Sequence, residues 1–163
     1  MSQSVKDNNE QKFPSVDLVY PLALASYDVA QKRLEVVEKR LQEILGFAVT
    51  VSLGTIALFA NKNYHFKSFL FALAMLAGLS GLVIGTYARL QGYLVLIKPS
   101  VLHEKYLTLS ESTFKRYFLY FAGEHWRTNA SLINRKGKLT NIAVVFFVLE
   151  IILLSLWSVG QAP

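Results

Sequence analysis

Residues 142–159 read IAVVFFVLEIILLSLWSV. Only Glu150 is charged, and a run this long and apolar reads as a membrane-spanning helix. Glu150 falls near its middle. A carboxyl close to the bilayer midplane is costly, so it has to face protein, a water-filled cavity or a partner chain, and it marks a functional site by default. The plainer reading is a protonated, hydrogen-bonded glutamic acid that fixes helix packing and nothing more.

Two further apolar blocks precede it. Ile44–Ala60 and Ser68–Ala88 contain no charge at all. Each comes close to the ~20 residues that cross a hydrocarbon core of roughly 30 Å. With 53% hydrophobic residues and a mean hydropathy of +0.35 over 163 residues, the chain is too apolar for an ordinary soluble domain. The fold class expected is an all-α membrane protein with three transmembrane helices, whose long cytoplasmic helical extensions form a stalk. The boundaries read are a disordered polar tail over 1–16, a cytoplasmic amphipathic helix running into span one over 17–60, and an outer loop over 61–67. Span two with a cytoplasmic extension follows over 68–97, then a cytoplasmic helical segment over 98–138 and span three over 139–160.

The net charge of +6 is informative through its distribution. Fifteen of the 17 basic residues lie before span one or between spans two and three; only Lys62 and Lys67 lie in the loop between spans one and two. The positive-inside rule then puts the N-terminus and the middle segment in the cytoplasm and the C-terminus outside. Trp157 and Tyr64 fit an aromatic belt at the outer interface, as Tyr87 and Tyr93 do at the inner one. Because the positive charge follows topology, nucleic acid is not expected as a direct ligand; membrane lipid is. The polar Met1–Pro14 stretch lacks the apolar core of a signal peptide.

Before span one, Tyr27, Ala30, Leu34, Val37, Leu41 and Ile44 recur at alternating spacings of three and four. This is a heptad-type seam, with opposite charges such as Glu35 and Lys39 between its members. It suits packing against the cytoplasmic segment of the same chain, and equally self-association around an oligomer axis. One long helix from about Leu18 to Ala60 is expected, with Pro21 in its first turn.

Small residues mark helix contacts. Gly46, Thr50 and Gly54 in span one, and Ala77, Gly81 and Gly85 with Gly78 in span two, follow the small-xxx-small pattern that lets backbones approach. Their simplest use is to pack the two spans as a hairpin. Span two has no hard stop before Pro99, so it is expected to project into the cytoplasm, with Arg89 at the headgroups. Thr108 or Ser110 can cap a helix starting near Glu111, whose face Phe114, Tyr117, Phe118, Phe121 and His125 would lie on the N-terminal seam.

Enzymatic chemistry finds no support. Without cysteine, thiol catalysis and cysteine–zinc sites are excluded. His65, His103 and His125 have no metal-ligand spacing. Arg116 and His125 are too far apart for an R-x4–6-H ribonuclease motif. No phosphate-binding glycine loop occurs. No metal, cofactor or catalytic residue is expected. Asn129-Ala-Ser131 matches a glycosylation sequon, but on the cytoplasmic side it would not be used.

At 1.5 Å per residue, Glu150 lies ~16 Å beyond Leu139. Ser52, Thr55 and Ser80 lie at similar depth and are candidates, with Glu150, for a pore or an intramembrane polar site. Arg89 is displaced by about 15 Å and is rejected as a partner.

This order of elements, with Lys98-Pro99, Ser110-Glu-Ser-Thr-Phe114 and Asn134-Arg-Lys136-Gly-Lys138-Leu entering the last span, resembles small multi-span effectors of prokaryotic antiphage systems. These are the Pycsar-type transmembrane effectors and the SLATT domains, and the pattern is also similar to the membrane-pore accessory protein of Cas13b systems. The resemblance covers about Tyr27 to Trp157. It implies a homo-oligomeric inner-membrane pore or channel that permeabilises or depolarises the membrane on a signal, which would arrive here through a cytoplasmic protein partner or through a cytoplasmic surface of the chain itself. The competing expectation is a non-conducting scaffold or adaptor whose cytoplasmic helices bind a partner while Glu150 only locks the bundle.

Overall fold

The computed structural model describes residues 15–59, 68–96 and 109–159. Three helices make it up: α1 (Val16–Phe59), α2 (Ser68–Leu90) and α3 (Glu111–Val159). Two of them, α2 over Phe69–Leu90 and α3 through its apolar C-terminal part, are long and apolar enough to cross a membrane. The N-terminal tail, the 61–67 loop with Tyr64 and His65, the Lys98-Pro99 break, His103, Thr108 and the C-terminal tail lie outside the described residues.

The helices start where local chemistry starts them. The Ser15 carbonyl accepts from the Leu18 and Val19 amides ahead of α1. Pro21 stands in the second turn rather than the first, because α1 already begins at Val16. Ser110 caps α3, its hydroxyl accepting from the Thr113 amide at 3.4 Å and its carbonyl from Phe114 at 2.9 Å. Gly123 and Gly137 do not interrupt α3. Span two ends earlier than the sequence suggests, at Leu90 instead of near Ile97. Gly92 turns the chain at a φ of +24°, a conformation open to glycine.

The chain divides into two compact units. The first holds 15–33, 93–96 and 109–131. Tyr20 meets Phe114 and Phe118 edge-on, and Tyr27 packs on Phe118 with centroids 5.8 Å apart. Burial raises the Tyr27 hydroxyl above its ordinary pKa, and that hydroxyl has no hydrogen-bond partner among the described residues. Lys115 bridges Asp17 and Glu111, each at 2.6 Å, and hydrogen bonding to these carboxylates raises it above the ordinary lysine range. Tyr117 is exposed, so it leaves the aromatic face that packs inward.

Asn129 fixes the segment after α2. Its Oδ1 accepts from the Val95 amide at 2.8 Å and its Nδ2 donates to the Val95 carbonyl at 3.2 Å. Val95 is thereby paired through both of its backbone groups. Asn129 is only 3% exposed. The sequon is thus a structural asparagine. Asn129→Ala should cost about 2 kcal/mol locally, a roughly thirtyfold loss of protection at the Val95 amide in hydrogen exchange. Unchanged protection would mean that Val95 is held by something else.

The second unit holds 34–59, 68–92 and 132–159 and is a three-helix bundle. Here α1 and α3 run parallel, with Glu38 on Lys136, Phe47 on Phe147 and Ser52 on Glu150. Helix α2 runs antiparallel to α3, with Phe71 on Trp157, Gly78 at Glu150 and Gly81 at Ala143 and Phe146. Trp157 is accordingly buried against Phe71 rather than set in an outer aromatic belt. The seam residues Leu34 and Leu41 are buried inside their own chain and Val37 is half-buried.

Candidate functional site

Glu150 is fully buried, with 0% exposure. Three helices enclose it. It projects from α3 toward α2 at Gly78, where a side-chain carbon would lie 2.5 Å from the carboxyl carbon. Only a glycine leaves room for the carboxyl against the α2 backbone. From α1, the Ser52 hydroxyl donates to Oε1 at 2.8 Å. Oε2 has no hydrogen-bond partner among the described residues.

The other polar candidates do not join it. Thr55 and Ser80 donate to carbonyls one turn back on their own helices, Val51 at 2.7 Å and Leu76 at 2.8 Å. Hydroxyls in apolar helices find this local acceptor readily, which leaves neither donating to Glu150. Arg89 is exposed in the last turn of α2.

The glycines divide by role. Gly81 admits the Ala143 carbonyl and Phe146, and Gly85 admits Leu45 and Leu41. Gly46 and Gly54 do not pack spans one and two together: a side-chain carbon at either would meet nothing within 4 Å. The small face of α1 points outward because α1 approaches α2 through Leu41 and Leu45, whose bulk needs the gap at Gly85.

A second polar contact was missed from sequence. Lys136 is 1% exposed, and its Nζ lies 2.8 Å from Glu38 Oε1. Along α3, Ala122, Asn129, Lys136, Ala143, Glu150 and Trp157 are buried at every seventh residue, and Thr140 and Phe147 are buried four residues after Lys136 and Ala143. Three of the six heptad-spaced residues are polar, and each is held by a specific partner. The heptad spacing of Asn129, Lys136 and Glu150 was the available signal, and the charged surroundings of the first two hid it. The partners repeat as well. Asp17 with Lys115 in the first unit, and Glu38 with Lys136 and Ser52 with Glu150 in the second, are each 98 positions apart, a whole multiple of seven. Such matched polar contacts at seam positions specify register in parallel helix pairs.

Among the described residues no three His, Cys, Asp or Glu side chains come together to hold a metal. The arrangement at Glu150 can lock three helices at one depth. No family model, curated protein or solved structure matches the chain.

Proposed function

We propose that this protein is a three-span integral membrane scaffold or adaptor, with its N-terminus cytoplasmic and its C-terminus outside, whose cytoplasmic helices bind a protein partner. The observation that carries this reading is the burial of Glu150: its carboxyl is enclosed within one chain, with Oε1 on the Ser52 hydroxyl and the group set against Gly78. The third span is the uncharged end of α1, which shares the bundle through Leu45 on Gly85 and Phe47 on Phe147. The first unit offers the partner surface, a shallow cavity of about 590 Å³ lined by Val16, Thr113, Arg116, Tyr117, Leu119 and Tyr120. Aromatic and arginine side chains of this kind are common anchors at interfaces.

A second reading is a homo-oligomeric pore- or channel-type effector of prokaryotic antiphage defence. The outward face of Gly46, Thr50 and Gly54 favours it, since small residues facing lipid let a second copy approach closely. Native mass spectrometry from nanodiscs, paired with planar-bilayer conductance, separates the two. The scaffold predicts a monomer or dimer that does not conduct, with or without Glu150→Gln. A discrete ring of four or more subunits would overturn it if Gly46→Ile with Gly54→Ile disperses the ring and Glu150→Gln alters its conductance.

A further inference from the structure

Arg135 and Lys136 are sequence neighbours with opposite fates. Lys136 turns inward to Glu38, whereas Arg135 is exposed and donates from Nη2 to the Tyr87 hydroxyl of α2 at 3.3 Å. Lys138, also exposed, stands three residues from Arg135, which places both cations on neighbouring positions of one α3 face. Neither has a carboxylate of the described residues within salt-bridge reach. The helices explain why: α2 contains no acidic residue, and α3 contains none between Glu124 and Glu150. The counter-charge for this pair has to come from outside these two helices.

The adjoining surface narrows what that counter-charge is. Tyr87 accepts from Arg135 and keeps its own proton to donate. One turn before Tyr87, Val83 is 68% exposed, and past Lys138 the exposed residues Ile142 and Val145 begin the apolar run of α3. Two cations and a hydroxyl thus border a hydrocarbon-like face formed by both helices. That sequence of chemistry, from positive and hydrogen-bonding to apolar, matches a phospholipid from phosphate to acyl chain.

We infer that Arg135, Lys138 and Tyr87 form a headgroup site for an anionic phospholipid of the cytoplasmic leaflet. The inference rests on the membrane-spanning reading above. The lipid phosphate takes the guanidinium and ammonium, Tyr87 donates the third hydrogen bond, and the chains lie along Val83 and Ile142.

The test uses the full chain in nanodiscs of equal parts phosphatidylcholine and phosphatidylglycerol, released for native mass spectrometry, after confirming that membranes retain the protein against alkaline carbonate. Retained phosphatidylglycerol should exceed phosphatidylcholine in the wild type. The excess should fall by roughly fivefold for each cation removed in Arg135→Ala and Lys138→Ala, the effect of about one near-surface charge. Tyr87→Phe should lower it less. The charge-matched control Lys39→Ala with Arg40→Ala, on α1, should keep it. Equal retention of the two lipids by the wild type, or the same fall in the control, would overturn the site while leaving the membrane reading in place. Extraction by carbonate would overturn both.

Discussion

Glu38→Ala should destabilise the protein by about 3 kcal/mol, and adding Lys136→Met should recover most of that loss. Lys136 is almost wholly buried and loses the Glu38 carboxylate, whereas Glu38 itself is 42% exposed. Breaking a buried pair from one side costs ~3–5 kcal/mol, because the buried charge gives up a close opposite charge and regains no water. The half-exposed carboxylate places this case at the lower end. Replacing the ammonium by a side chain of similar length and no charge removes the cause, since buried pairs contribute little net stability over apolar replacements. Thermal unfolding of the detergent-solubilised protein measures both. A single variant as stable as wild type would show that Lys136 is held without Glu38. A double variant no better than the single one would place the loss in the packing of the Glu38 stem.

Gly78→Ala should cost ~1–3 kcal/mol, the usual range for overpacking a close-packed contact. The added carbon would sit 2.5 Å from the Glu150 carboxyl carbon and 2.5 and 2.6 Å from its oxygens, so the carboxyl has to move. Moving it also breaks the 2.8 Å hydrogen bond from Ser52. The two effects differ in size. Hydrogen bonds between membrane helices average only ~0.6 kcal/mol in double-mutant cycles, so the steric part should dominate. Glu150→Ala in the Gly78→Ala background should therefore restore stability, although Glu150→Ala alone leaves a cavity. Ser52→Ala alone should have a small effect. Unfolding of the four variants in one detergent decides it; simple additivity of the Gly78 and Glu150 changes would contradict the close contact.

Both predictions concern residues that sequence reasoning treated unequally. Glu150 was legible at once, because one carboxyl in an apolar run has no ordinary explanation. Ser52 was among four polar candidates of similar depth, and depth alone did not separate it from Thr55 and Ser80. Whether a hydroxyl faces a neighbour or bonds its own helix depends on the rotation of that helix about its axis, which a residue count does not contain. Gly46 and Gly54 failed for the same reason: their spacing is right for close packing, but the face they occupy is turned outward. Lys136 was read only as part of the basic run entering the last span, and Asn129 only as part of an unused sequon. Their burial follows from the seven-residue repeat along α3, which becomes visible only when Glu150 is taken as a member of a series.

The amino-acid sequence by itself determined that the chain is helical, where its apolar runs fall and that one of them contains a carboxyl, because helix periodicity and hydropathy are properties of neighbouring residues. Only the tertiary structure decided which face of each helix is inside, that α1 and α3 lie parallel at an offset of 98, and that α2 stops at Leu90. Register between distant segments is chosen by contacts that must be satisfied together. Ser52, Gly78 and Glu150 acquire a common role only when three helices bring them to one point.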